Sequence, residues 1–507
     1  MLGWRAPGPA CMRRIHEGLP AYRHPGILLG AGGTAESREA GRRLGALQFE
    51  PCTLSANGLP ASIAAQCGTL SVPEDRARPA GRRVALAIAF VPSTAKQPRP
   101  DPVFMLAGGP GQSARETFPA AAGAFRELLR DRNVVLVDQR GTGDSNPLSC
   151  RAAEDDPAVD AAAAALAAAR RFAAQCLQEL DADPRFYTTS DAVLDLEEVR
   201  SAIGAEQVNL VGISYGTRVA LEYLRRHPAR VRSMVLDGVV PPELPLGSEH
   251  ARNLEASLDG QFARCDADPV CAQRFGSPRT ALAALLESLD RQPQSVRYRD
   301  PLTHELQDGT LTRDVVAGVV RLFAYVPQLS AMLPQALAEA AAGRPEVLMA
   351  QGRMIESLVG EQINQGLQLS VSCSEDADRL RADPADANTL MGTAFVSTLL
   401  AQCEAWPRGQ RPPDFNEPVR SDRPVLLLSG EFDPVTPPRY GEQVLGHLPN
   451  GRHLVARGQG HNVMVAGCAP RLMARFVASA DAKGLDASCL ERLTYTPPFT
   501  GSFGWEP

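Results

Sequence analysis

The pentapeptide Gly212-Ile213-Ser214-Tyr215-Gly216 lies within QVNLVGISYGTRVALEYLRRHP, between an apolar run of strand character and a run of helical periodicity. A serine between two glycines at a strand-to-helix junction has few backbone solutions. The turn must be tight enough to lift the serine off both elements, which forces an unfavourable backbone conformation on it. Glycine on each side removes the side chains that would strike the strand or the helix. The motif therefore needs a buried strand before it and a helix after it. VNLVG and TRVALEYL supply them, and no second match occurs in the chain.

The surrounding chain repeats that grammar. RRVALAIAFVPS, DPVFMLAGGPGQS and NVVLVDQRGTGDS are apolar runs that end in turn residues, as buried strands do. An alanine-rich stretch, AVDAAAAALAAARRFAAQCLQEL, has strong helix propensity and reads as a covering helix. TTSDAVLDLEEVRSAIG reads as a helix with Ser190 or Asp191 as cap and Gly204 as its close. Strands apolar on both faces that alternate with helices indicate a mostly parallel central sheet flanked by helices, an α/β fold. The alternation breaks from about Glu243 and resumes at RPVLLLSGEFDPVTPP and GRHLVARGQGHNVMV. The expected organisation is a poorly ordered leader (1–48), a first core segment (49–242), a mainly helical cap inserted at 243–421, and a closing core segment (422–507). Ligand sites in open α/β sheets lie at the carboxyl ends of strands, so such a cap would roof the site.

Composition narrows the partners. The chain has 507 residues, 44% of them hydrophobic and 22% charged, with a net charge of −6. This balance gives no electrostatic case for nucleic acid or an anionic membrane, and no apolar run is long enough to span a bilayer. Ten of the eleven cysteines fall into sequence-local couples: Cys52 with Cys67, Cys150 with Cys176, Cys265 with Cys271, Cys373 with Cys403, and Cys468 with Cys489. Nearest-neighbour pairing is one scheme among the many that ten thiols admit. Five disulfides would imply a periplasmic or secreted protein, whereas buried free thiols would suit the cytosol. Cys11 is left over, in a leader whose GILLGAGG patch is short and glycine-rich for a signal sequence. The spacings are not those of a zinc site, and nothing in the chain calls for a metal or an organic cofactor.

A serine hydroxyl needs an adjacent base. For a nucleophile on such a strand-to-helix turn the expected chain order is Ser, then Asp or Glu, then His. His461, in GQGHNV, follows the last expected strand. Asp433 follows VLLLSGEF in a strand-end loop and is the favoured acid, with Asp237, at the end of SMVLDG, as its rival. His227, His250 and His453 read as structural or solvated. An oxyanion hole needs two backbone N–H groups. Tyr215, after the serine, and Gly109, in LAGGPGQS, are placed to supply them.

GGPGQS, VVLVDQRGTGDS, VGISYGTRVALEYLRRHPARVRSMVLDGVVPP, SGEFDPVTPP and GQGHNV resemble the α/β-hydrolase branch that contains prolyl iminopeptidases and tripeptidyl-aminopeptidase-like secreted hydrolases. The resemblance runs from about Cys52 to Cys489. It departs at Ala107, where prolyl iminopeptidases usually carry histidine. It implies a serine exopeptidase that removes residues from the amino terminus of small peptides. Such an enzyme holds a free α-ammonium, and the resemblance points to Glu375 and Asp376 in SVSCSEDADR for that purpose. Their other reading is the first turn of a helix capped by Ser374. A carboxylesterase with the same serine machinery, or a non-catalytic binding protein on this fold, are the alternative functions.

Overall fold

The structure, a computed structural model, describes residues 41–56, 61–150, 162–359, 363–501 and 504–505. Ten strands form one sheet: β1 (Arg42–Leu44), β2 (Leu47–Ser55), β3 (Ser62–Pro73), β4 (Arg83–Val91), β5 (Val103–Leu106), β6 (Val134–Val137), β7 (Val208–Ile213), β8 (Val231–Asp237), β11 (Val425–Gly430) and β12 (Gly451–Ala456). Their order is β1-β2-β3-β4-β6-β5-β7-β8-β11-β12. Pairings from β6 through β5, β7, β8 and β11 to β12 are parallel, and those from β1 to β4 and on to β6 are antiparallel. β9 (Gln294–Arg299) and β10 (Leu306–Leu311) form a separate antiparallel hairpin.

Short continuous apolar strands are what a sheet buried on both faces requires. In β6 all four residues are buried, Val135 and Val137 in one core cluster and Val134 and Leu136 in the other. β5 divides in the same way, Phe104 and Leu106 against Val103 and Met105. The period-2 alternation of side chains thus sends one half of each strand to each layer of helices.

The amino-terminal boundary differs from expectation. β1 begins at Arg42, so part of the expected leader belongs to the sheet. The reason is a one-sided pattern: in β2, Leu47, Phe49 and Leu54 are buried while Gln48, Glu50 and Pro51 are exposed. Residues 1–40, Cys11 among them, lie outside the described residues. The alanine-rich helix spans Ala162–Glu179, and its expected first part also lies outside them. The helix Thr189–Ala202 is capped by Thr188, two or three residues before the expected Ser190 or Asp191. Thr188 accepts from the Asp191 amide, and Asp191 answers in a capping box.

Helices from His250 to Ala405 fill the excursion between β8 and β11, together with the β9–β10 hairpin that helical periodicity did not disclose. This region carries its own core, in which Leu254, Phe262, Leu286, Val320, Phe323 and Leu337 meet. Even so, Gly41–Pro507 forms one compact unit. All five expected cysteine couples are disulfides. One of them, Cys373–Cys403, staples the helix Gln365–Glu375 to the helix Ala394–Ala405. Five bridges indicate an extracytoplasmic protein. No helix among the described residues is long and apolar enough to cross a membrane.

Candidate active site

In-register parallel pairing brings the carboxyl ends of five strands to one edge. Leu106 of β5 lies opposite Gly212 of β7, and Ile213 of β7 opposite Asp237 of β8. Leu428 of β11 also lies opposite Asp237, and Gly430 opposite Ala456 of β12. Every loop that sequence reasoning singled out leaves from this edge.

Ser214 adopts φ 53° and ψ −122° at the start of the helix Tyr215–Arg226. Positive φ in a residue with a Cβ is strained by about 1–3 kcal/mol, and such strain persists only where the surroundings over-determine it. Here they do. The Ser214 amide donates to the Asp237 carbonyl (2.8 Å), and the Thr217 amide donates to the Ser214 carbonyl (2.9 Å). A Cβ on Gly212 would lie 2.6 Å from the Gly216 carbonyl oxygen, and one on Gly216 would be driven into the Leu106 carbonyl oxygen. Both glycines are therefore required by backbone on backbone contact. Gly216→Ala is expected to destabilise the fold by about 3 kcal/mol or more, read as a lower urea midpoint, because backbone atoms cannot rotate away as a side chain can.

The expected oxyanion loop packs against the serine. A Cβ on Gly108 would lie 3.2 Å from that of Ser214. Gly109 has φ 106° and precedes Pro110 through a cis bond. The loop is tied down from two sides. Ser113 caps the helix Ala114–Phe125 and donates to Asp138 (2.7 Å), and Asn364 donates to the Gly111 carbonyl through its backbone (2.9 Å) and side-chain (3.0 Å) nitrogens. Tyr215 opens its helix, so its amide has no intrahelical acceptor. Its phenol is held by Thr189 (2.7 Å) and by Gln139 (3.2 Å).

The structure brings His461 and Asp433 together: Nδ1 lies 2.7 Å from Asp433 Oδ2. Asp433 also accepts from the amides of Val435 and Thr436, both at 2.8 Å. Burial opposes its charge, but the His461 imidazole and these amides outweigh burial and leave the carboxyl below its ordinary value. Burial likewise opposes the imidazolium of His461. Asp433, with Asp237 further off, outweighs it and raises the histidine above 6.5. Among the described residues Ser214 Oγ makes no hydrogen bond, as is common when no substrate draws serine and base together.

Asp237, the rival acid, has another task. It accepts the amides of Val463 (3.0 Å) and Met464 (2.9 Å), so it pins the loop that carries His461. Burial pushes it up to about 6, against the pull of these amides. Thr436 went unnoticed in the sequence. Its hydroxyl lies 2.8 Å from Asp433 Oδ2 and 3.1 Å from His461 Nδ1, bracing the pair. A threonine three residues after an acid is too common a pattern to have announced this. Two of the histidines read as structural are placed so: His453 meets Ser429 across β11 and β12 (2.9 Å), and His227 closes the helix Tyr215–Arg226.

Glu375 and Asp376 do not form an accessible ammonium site. Both are 0% exposed. They end the helix Gln365–Glu375 instead of starting one, so the expectation of a first turn capped by Ser374 fails as well. Carboxylates at a helix carboxyl terminus oppose its dipole, and arginines compensate here. Asp376 pairs with Arg218 (2.7 Å) and Arg379 (2.8 Å). Glu375 accepts from the Thr189 amide (2.6 Å) and hydroxyl (3.0 Å), 3.6 Å from Arg218. Burial pushes Glu375 up to about 8, against the opposing pull of Arg218.

Residues 101–313 match the family model described as the alpha/beta hydrolase fold, and residues 388–489 match the model described as TAP-like protein. The serine protease Hip1 of Mycobacterium tuberculosis is 27% identical over 481 residues, which cover 87% of this chain and 90% of that protein. The tripeptidyl aminopeptidase of Streptomyces lividans is 32% identical over 211 residues, 39% of this chain and 38% of its own. Carboxylesterase B of Mycobacterium tuberculosis is 32% identical over 265 residues, 48% of this chain and 50% of its own. A Ser214 turn at the carboxyl edge of a mostly parallel sheet accords with these matches: the chain belongs to the α/β-hydrolase family, in its TAP-like branch, and is a serine hydrolase.

Proposed function

We propose that the protein is a serine exopeptidase that removes residues from the free amino terminus of peptides through an acyl-enzyme on Ser214. The observation that carries the reading is the convergence of the strained Ser214 turn, the glycine loop Gly108–Gly111 and the paired Asp433 and His461 on one sheet edge. Ser214 Oγ attacks the acyl carbon while Nε2 of His461 takes its proton, and Asp433 holds the Nδ1–H tautomer. The amides of Tyr215 and Gly109 receive the developing oxyanion. His461 then returns the proton to the leaving amine, and water attacks the acyl-enzyme along the same path. The amino-terminal preference is supported by the tripeptidyl aminopeptidase relative and not by Glu375 and Asp376, which are buried with their carboxyl oxygens already bonded to Thr189, Arg218 and Arg379. Disulfides on this scale suit a periplasmic or secreted location.

Defined peptides with free and blocked amino termini test this, with products read by mass spectrometry. Release of short fragments from the free peptides alone is expected. Equal rates on both would leave an endopeptidase. Cleavage of simple esters only would favour the carboxylesterase reading, which the carboxylesterase B relative supports.

His461 must be neutral to accept the serine proton, and its protonation is favoured above its ordinary range. Activity is therefore expected to rise with pH through an acid limb above about 6.5. Thr436→Val removes the brace on the Asp433–His461 pair. It is expected to lower kcat roughly tenfold or more with little change in KM and to displace that limb. A merely structural hydroxyl would leave the limb in place.

A further inference from the structure

The helix Arg313–Ala324 buries Val316, Val319, Val320 and Phe323 in the core of the inserted region. Its opposite stripe, Asp314, Gly318, Arg321 and Tyr325, follows the spacing of one helical face. Asp314 and Gly318 are exposed, and a Cβ on Gly318 would meet nothing within 4 Å. The stripe thus borders open space. Its far end is the active site. The Tyr325 ring stands edge-on to His461 at 5.3 Å between centroids, and the Tyr325 carbonyl accepts the His461 amide (2.9 Å).

Arg321 lies one turn before Tyr325 on this face. It makes no ion pair or hydrogen bond among the described residues; its contact is with the face of Phe395, 5.4 Å from the ring centroid. Phe395 also meets the His250 ring at 5.3 Å. Burial and the charges of Arg321 and His461 hold His250 down to about 3, so that imidazole is neutral and adds no second cation. Beyond Phe395 lies a cavity of about 390 Å³, lined by Phe172, Gln365, Gln368, Thr398 and Gln402 among others, with no charged side chain. Asn364, next to Gln365, is the residue bonded to Gly111 of the glycine loop. Phe395 thus forms part of the wall of this uncharged cavity and carries over its ring the Arg321 guanidinium, which has no ion-pair partner among the described residues.

We infer that Arg321 is a specificity-determining residue that receives a carboxylate of the substrate at the rim of the Ser214 site. A planar guanidinium over an aromatic ring, with no carboxylate of its own, keeps its paired N–H groups for a two-pronged grip on a carboxylate. Glu375 and Asp376 are fully buried, and Arg321 is a cation without an ion-pair partner among the described residues, one turn from Tyr325; Asp314, the other charge on this face, lies two turns further from His461. The carboxylate comes either from an acidic side chain or from the free carboxyl terminus of a short peptide. The inference rests on the Ser214 reading of the site but not on the peptide being the substrate.

The test compares matched substrates on wild type, Arg321→Gln and Arg321→Lys. Peptides carrying Glu or Gln near the cleaved bond report a side-chain carboxylate, and peptides with free or amidated carboxyl termini report a terminal one. p-Nitrophenyl hemisuccinate and p-nitrophenyl butyrate read the same charge preference if peptides are not cleaved. Wild type is expected to favour the carboxylate member of a pair by about 10- to 100-fold in kcat/KM, declining with salt. Arg321→Gln should abolish the preference while leaving the neutral substrate unchanged within about threefold, and Arg321→Lys should keep part of it. Equal treatment of every pair by wild type, or an unchanged preference in Arg321→Gln, overturns the inference. Ser214→Ala protein, titrated calorimetrically with the same uncleaved pairs, asks the question by binding alone. A failure of Ser214 chemistry is thereby kept separate from a failure at Arg321.

Discussion

Ser214→Ala is expected to lower kcat by about 10⁶-fold, the scale seen when a serine nucleophile is removed, while the fold and the Asp433–His461 pair persist. The same position carries a second, opposite effect. With φ at 53°, Ser214 holds a conformation that glycine adopts at little cost. Ser214→Gly should be as inactive as Ser214→Ala, yet more stable than wild type by about 1 kcal/mol, since relief of strain exceeds the added entropy of the unfolded chain. A raised denaturation midpoint in the glycine variant, with activity gone, would mark the strain as held for function. A lowered one would mean that the turn is relaxed.

The second large effect separates two buried acids that sequence could rank but not assign. Asp433→Asn keeps the shape but presents an amide to Nδ1, favouring the wrong imidazole tautomer. A fall in kcat of about 10⁴-fold is expected, along with a downward move of the acid limb because the charge that raises His461 is gone. Asp237→Asn can satisfy only one of the Val463 and Met464 amides. It should cost about 1–3 kcal/mol of stability and lower activity far less. Similar activity losses in the two variants would overturn the division of labour drawn from the hydrogen bonds. Urea denaturation and pH–rate profiles on the pair provide both readings.

These roles explain which parts of the molecule were legible. Strands β5, β6, β7 and β11 are buried on both faces, so their apolar runs stand out, and the glycines around Ser214 answer to the nearest backbone atoms. Such features are local. The same holds for the five disulfides, each closing a short stretch of chain. β2 was missed because one face is polar and Pro51 interrupts it, and β9 because its burial rests mainly on Val296. The helix Gln365–Glu375 ends on acids against the usual dipole preference because Arg218, 158 residues away from Asp376, neutralises them. Propensity cannot see a partner at that separation. Thr436 and Arg321 were silent for the same reason: each takes its significance from what the fold brings beside it.

Everything proposed for this site depends on Ser214 being a nucleophile activated by His461. Treating the folded protein with a fluorophosphonate and mapping the adduct by peptide mass spectrometry tests it most directly. One adduct is expected, on the peptide bearing Ser214, formed at least about 100-fold more slowly in His461→Ala. An adduct elsewhere, no adduct, or an equal labelling rate in the histidine variant would contradict it.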